Sequence, residues 1–139
     1  MNSTLNPNYI SGFVDGEGCF SITINKRDRR IPEVRLLFEI ELEEADADIL
    51  NRIKVTIGCG NIYYLTYKKH PNWNKHVKLK VSNFSDIYGK IIPFFTKYPL
   101  QAKKRFQFER FCKVAKMIKE KKHLDITFIK EIIRIKEGL

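Results

Sequence analysis

Apolar positions along this chain recur with two periods, roughly every 3.6 residues and every second residue, and stretches of the two kinds follow one another in order. Tyr9, Ile10, Phe13 and Val14 have helical spacing behind Asn6-Pro7, an N-cap followed by proline at the first helical position. A short helix is predicted over 7–14, stopped by Gly16 and Gly18. The period then drops to two. Phe20, Ile22 and Ile24 alternate with Ser21, Thr23 and Asn25. After a charged turn over 26–32, Val34, Leu36, Phe38, Ile40 and Leu42 alternate with Glu33, Arg35, Leu37, Glu39 and Glu41. This predicts a hairpin with one wet face.

The same sequence of periods then repeats. Ile49, Leu50, Ile53 and Ile57 form one stripe of a helix over 45–57, closed by Gly58 and Gly60. Segments 61–67 and 75–81 read as a second hairpin around the loop from His70 to Asn74. In it Val77, Leu79 and Val81 alternate with His76, Lys78, Lys80 and Ser82. A helix over 85–97 is interrupted near Pro93, and Pro99 begins a new element. Helical character from Leu100 rests on Phe108, Phe111, Ala115 and Ile118, and a last helix from Leu124 uses Phe128, Ile129, Ile132 and Ile133. The order α-β-β-α-β-β-α, with further helix behind it, predicts an α+β fold with helices on one face of an antiparallel sheet.

The chain has 139 residues, which fits one domain over 1–139. With 43% hydrophobic and 12% aromatic residues it is no disordered segment, and no apolar run is long enough to span a bilayer. The opening MNSTLNPNYI has neither a secretion-signal layout nor an Arg-rich transit pattern, so no targeting signal is expected. Cys19, Cys59 and Cys112 are odd in number and far apart. Reduced core thiols are expected rather than zinc ligands or disulfides.

Charge changes the picture more. Lys+Arg number 26 against 16 Asp+Glu, a net charge of +10, which points to a polyanionic partner, most simply nucleic acid. The bases cluster at 26–30, 68–69, 75–80, 103–105 and 119–122. A β-ribbon fits the major groove of B-DNA, where alternate side chains can read base edges, so the polar sheet face is a candidate duplex surface. An ordinary solvated face is the plain alternative.

The sharpest segment is Ile10-Ser11-Gly12-Phe13-Val14-Asp15-Gly16-Glu17-Gly18. Glycines at i and i+4, Gly12 and Gly16, make a smooth strip that a second helix backbone can approach. Two acids one residue apart then follow, just past the expected helix end. Carboxylates beside the free carbonyls of a helix terminus are hard oxygen ligands suited to Mg²⁺. Asp-Gly-Glu-Gly is equally a turn composition.

As a whole string, ISGFVDGEG followed by Cys-Phe-Ser-Ile resembles the signature of the LAGLIDADG homing endonucleases. The likeness extends through the strand-turn-strand, the Phe38–Leu42 strand end running into a helix with Asp46 and Leu50, and the segment Tyr98-Pro99-Leu100…Lys104…Phe108. It runs from about Tyr9 to Ile118. What this resemblance implies is a saddle-shaped sheet over DNA and an intron-encoded, site-specific double-strand endonuclease. A single motif implies a homodimer on a long, near-palindromic target, with Gly12, Gly16 and Phe13 at the contact between motif helices. The partners implied are double-stranded DNA and a second copy, with no membrane and no small-molecule substrate.

By the same resemblance Glu17 and the Gly16 carbonyl would hold Mg²⁺, with Mn²⁺ as a substitute and Ca²⁺ binding without supporting cleavage. Asp15 would give local support, and Lys104, on the Tyr98-Pro99-Leu100…Lys104 spacing, or its neighbour Lys103, would be the basic catalytic residue near the scissile phosphate. Where relatives place a water-positioning side chain, this chain has Leu42 between Glu41 and Glu43. DNA contacts are expected from Ser21, Thr23, Asn25, Lys26, Arg27, Arg29, Arg30 and Arg35 in the first hairpin. The second hairpin offers Tyr63, Lys68, Lys69, Lys75, His76, Lys78 and Lys80. Glu39 either accepts from a cytosine amine or pairs with Arg35. His70, His76 and His123 are expected at the surface or satisfied, and Trp73 either stacks on DNA or packs back on the sheet. An intron maturase or a DNA-binding regulator without cleavage is the alternative. The abundance of Lys, Ile, Phe and Asn hints at an AT-rich organellar genome, mitochondrial or chloroplast.

Overall fold

Asn6 starts the first helix by accepting the Asn8 N–H at 2.8 Å, and Pro7 supplies its first turn. Helix α1 (Pro7–Glu17) runs three residues past the predicted end. Gly16 costs about 1 kcal/mol inside a helix, but Ile10, Ser11 and Val14 are buried on one side and secure the last turn to the body of the protein. Both acids therefore lie within the helix. The chain turns extended at Gly18 (φ −83°, ψ 167°), whose N–H donates to the Val14 carbonyl. A Cβ there would sit 2.6 Å from Val14 Cγ1, so the tight exit calls for glycine.

A computed structural model describes residues 3–26, 30–66, 69 and 75–138. In it, β1 (Gly18–Asn25) pairs antiparallel with β2 (Glu33–Glu43), bringing Phe20 opposite Phe38, Ile22 opposite Leu36 and Ile24 opposite Val34. A 3₁₀ turn at Glu44–Asp46 leads into α2 (Ala47–Ile57), which ends on left-handed Gly58 (φ 90°). The second hairpin joins β3 (Asn61–Leu65) to β4 (His76–Val81), and β4 also pairs antiparallel with β2. The sheet order is β1-β2-β4-β3. The α+β architecture expected from the periodicity is present.

The helix near Pro93 is not broken. A single turn α3 (Phe84–Asp86), a π turn (Ile87–Ile91) and α4 (Ile92–Lys97) follow without a gap. Proline removes one helical N–H and crowds the carbonyl four residues back. The π turn widens the helix just there, with the Ile92 N–H donating to the Ile87 carbonyl. Helix α5 (Lys104–Lys119) starts later than predicted because 100–103 is a loop held from outside, and α6 (Ile126–Lys136) follows a 3₁₀ turn at Lys122–Leu124.

One ring joins four elements. Phe20 of β1 lies 5.1 Å from Phe38 of β2, 5.6 Å from Phe95 of α4, and 5.2 and 5.3 Å from Phe108 and Phe111 of α5. This aromatic cluster fixes the sheet's apolar face against the helices, leaving the opposite face polar. No described helix is long and apolar enough to cross a membrane. The thiols differ from expectation in one case. Cys59 is buried and Cys112 half-buried, but Cys19 is exposed on the polar face of β1.

Candidate active site and nucleic-acid interface

Two side chains of α1 make three hydrogen bonds to a segment far along the chain. Ser11 Oγ, on the buried side, donates to the Tyr98 carbonyl at 2.6 Å. One turn later the Asp15 carboxylate accepts the Gln101 N–H at 2.8 Å and the Ala102 N–H at 3.1 Å. Both Asp15 oxygens are thus committed to backbone. The loop so held leads directly into α5, whose first residue returns to the motif: Lys104 Nζ donates to the Gly18 carbonyl. Lys103 is exposed, and no described side chain or carbonyl receives its ammonium. Of the two candidate bases, Lys104 alone is brought to the motif.

Glu17 has a different situation. It is exposed in the last turn of α1, and among the described residues no hydrogen bond or ion pair engages its carboxylate. A negative charge there opposes the negative end of the helix dipole, so its placement costs the fold rather than supporting it. The Val14 carbonyl still receives the Gly18 N–H, but beyond it the chain leaves as a strand, so the carbonyls that follow, Gly16 among them, have no further helical turn to supply amides. Gly12 and Gly16 are exposed, and a Cβ on either would meet nothing within 4 Å. Phe13 is half-buried and Tyr9 is 50% exposed beside it. The outer side of α1 is therefore an open glycine strip with aromatic flanks.

The polar sheet face differs from the basic surface expected. Glu39 and Glu41 of β2 face Lys80 and Lys78 of β4, and Glu43 faces His76. Lys78 Nζ lies 3.2 Å from Glu39 Oε2 and 3.5 Å from Glu41 Oε1, while His76 Nδ1 is 2.9 Å from Glu41 Oε2. Burial works against the Lys78 charge, yet hydrogen bonds and proximity to the two glutamates outweigh it and hold its pKa above the ordinary lysine value. Glu39 thus pairs with Lys78, not Arg35, because cross-strand neighbours lie closer than residues four apart on one strand. Arg35 pairs instead with Glu33, two residues away on the same face.

The remaining expected contacts line this face or its margins. Ser21, Thr23 and Asn25 share the β1 edge, beside Cys19; Tyr63 stands opposite Lys78 on β3; Lys26, Arg30 and Lys75 are exposed next to the strand ends, and Lys69 is exposed in the segment between β3 and β4. Arg27, Arg29, Lys68, His70 and Trp73 lie outside the described residues. His123 is neither exposed nor satisfied: its Nδ1 is buried without a hydrogen-bond partner among the described residues, and burial holds its pKa below the usual histidine value. Two open cavities of ≈ 510 and ≈ 550 Å³ lie beside His123 and between α4 and α5, away from the end of α1.

A helix ending in a carboxylate without a partner among the described residues, a lysine returned to that end and a polar sheet face match the layout of one known group. The model of the LAGLIDADG endonuclease family fits residues 10–115. The chain belongs to the LAGLIDADG endonuclease family. A relative in Neurospora crassa, "Probable intron-encoded endonuclease 2", is 34% identical over 137 residues, 97% of this chain and 29% of the relative. The solved LAGLIDADG homing endonuclease I-GzeII in complex with its DNA target has a TM-score of 0.86 and 36% identity, covering 100% of this chain and 45% of that one. I-SmaMI bound to an uncleaved DNA target with calcium ions has a TM-score of 0.84 and 31% identity over 96% of this chain and 44% of that one. The chain therefore spans less than a third of that curated relative and under half of each solved chain.

Sequence reasoning assigned Asp15 and Lys104 to the motif of this LAGLIDADG chain but missed what connects them: the Ser11 hydroxyl and the amides of Gln101 and Ala102. The residues alone held no signal for them: with the helix expected to stop before Asp15, both acids read as part of a turn, and only the extension of α1 to Glu17 puts them against the helix dipole.

Proposed function

We propose that this chain is a site-specific, divalent-metal-dependent DNA endonuclease that cuts both strands of a long, near-palindromic target as a homodimer of single domains. The observation that carries this reading is the Glu17 carboxylate, without a partner among the described residues at the end of α1 while Lys104 is tied back beside it. DNA-bound structures in the same family support it.

Among the described residues no group of three or more His, Cys, Asp or Glu converges on one point. Glu17 and the Gly16 carbonyl are oxygen donors of the kind a hard divalent cation takes and would hold it as part of a ligand set. Mg²⁺ is the ion we assign, Mn²⁺ a substitute, and Ca²⁺ one that binds without supporting cleavage. Such an ion would lower the pKa of bound water and neutralise charge at the phosphate. The protein's own residues do the rest. Asp15 fixes the loop before α5, that loop sets the start of α5, and Lys104 presents positive charge beside the motif, where the phosphate gains negative charge during cleavage. Gly12, Gly16 and Phe13 form the face on which the second α1 packs. Intron-encoded relatives support an origin in an organellar intron.

The test is cleavage of a randomised duplex library by the purified protein with Mg²⁺, beside an EDTA arm and Glu17→Gln. Metal-dependent cutting at one long target, lost in Glu17→Gln, is the expected result. Binding without cutting would replace this reading with that of a maturase or regulator.

A further inference from the structure

The chain carries +10, yet its sheet does not. The four strands hold Arg35, Lys78 and Lys80 against Glu33, Glu39, Glu41 and Glu43. Acids match or exceed bases on the surface where a duplex would lie, and the positive charge sits at strand ends and on the helices instead. Lys78, near the centre of that face, is clamped between two carboxylates, with side chains only 24–31% exposed across the trio. His76 braces Glu41 from the other side.

We infer that Glu39 and Glu41 are specificity-determining residues that keep the Lys78 ammonium off DNA phosphates, so that the sheet binds tightly only where base edges donate to those carboxylates. This rests on the duplex-binding reading above. The physical basis is asymmetric. A free lysine takes any phosphate and adds affinity without sequence information. A carboxylate repels every phosphate and is satisfied in the major groove by an exocyclic amine, such as that of cytosine. Placing both glutamates around the central lysine converts a non-selective grip into a selective one. Peripheral bases such as Lys26, Arg30, Lys69 and Lys75 still attract the duplex. Arrival is driven by charge at the rim, and retention is decided at the neutral centre.

The test measures binding of the purified chain to a mixed-sequence duplex across a series of KCl concentrations. The variants are Glu39→Gln/Glu41→Gln, Lys78→Met, and all three changes together, each checked by thermal melting. Freeing Lys78 adds one phosphate contact. The double Gln variant should bind about eightfold more tightly at ~0.1 M salt, and its log–log salt slope should steepen by about 0.9. Lys78→Met alone should leave the slope unchanged, and in the Gln background it should restore the wild-type slope. Single Glu39→Gln, which leaves Glu41 as a fold-preserving brace, should shift both quantities in the same direction. Two results would overturn the inference while the duplex reading stands: an unchanged slope in the double Gln variant, or a slope that falls by about 0.9 in Lys78→Met alone. A wild-type chain with no salt-dependent duplex binding would remove the duplex reading and this inference together.

Discussion

Lys104 reaches the carbonyl of Gly18 across 86 residues of sequence, closing a circuit that begins where Asp15 holds the two amides of Gln101 and Ala102. The ammonium is thereby fixed beside the exit of α1 and not left to sample solvent. Under the proposed function, Lys104→Met removes the positive charge from the phosphate site and should slow single-turnover cleavage about 10²–10³-fold. Duplex affinity, measured by fluorescence anisotropy, should change by no more than the loss of one phosphate contact. Lys103→Met, altering an exposed neighbour, should cut at close to the wild-type rate.

Asp15→Asn keeps the shape of the side chain but turns one accepting oxygen into an N–H donor that faces a backbone N–H. The loss of a charge-assisted pair at a half-buried site should cost about 1–3 kcal/mol of stability, read as a lower midpoint in urea denaturation. Cleavage should also fall, because the loop that delivers Lys104 loses its clamp. A variant as stable as wild type would show that the two amide contacts add nothing.

Glu17→Gln should behave in the opposite way. No internal contact is lost, and a negative charge is removed from the unfavourable end of a helix dipole. The melting temperature should stay the same or rise while metal-dependent cleavage disappears. The pair of acids then separates cleanly into one that holds the fold and one that the fold tolerates.

Gly12 has open space where a Cβ would stand, so Gly12→Ala should stabilise the isolated chain by about 0.5–1 kcal/mol through helix propensity alone. If two α1 helices pack through this strip, Gly12→Leu should fold yet sediment as a monomer at concentrations where the wild type is a dimer. Retention of the dimer in Gly12→Leu would place the two-fold contact elsewhere.

Burial pushes the Cys59 thiol up to about 11, with Asp86 adding to the effect, and the Cys112 thiol to about 12, with Glu109 adding. Neither has appreciable thiolate at pH 8. Cys19 is exposed on the polar sheet face. A maleimide reagent at that pH should label one thiol in the native chain and three in denaturant, as counted by intact-mass spectrometry. A bound duplex should protect the first. Native labelling of all three would show that the helical layer opens readily.

Elements whose periodicity reflects one buried face were legible from the residues. Both hairpins, the α2 stripe and the aromatic positions of α5 fall where alternation and helical spacing place them. The misjudged features arise from contacts between distant segments. Gly16 signals a helix stop only when packing on Ile10 and Val14 and the Asp15 clamp are out of view. Pro93 signals a break only if the helix cannot widen, and the π turn at Ile87–Ile91 lets it do so. The polar sheet face differs for a third reason: the lysines of β4 are legible in the sequence, but the register that sets Glu39 and Glu41 across from them is not. For the candidate site, the motif string pointed to Asp15 and Glu17 and the Tyr98-Pro99-Leu100…Lys104 spacing to Lys104, whereas the contacts of Ser11 and the 98–102 loop emerge only from the tertiary pairing.

The tie between Asp15 and Ala102, 87 residues apart, also bears on the order of assembly during synthesis. Contacts this distant in sequence close late, after the hairpins and α2 have formed from nearer partners. A growing chain exposes its two motif acids long before Lys104 leaves the ribosome. Until then the end of α1 has neither its clamp nor its positive charge. The carboxylates are translated first and armed last, so an unfinished chain carries the motif without the geometry to use it.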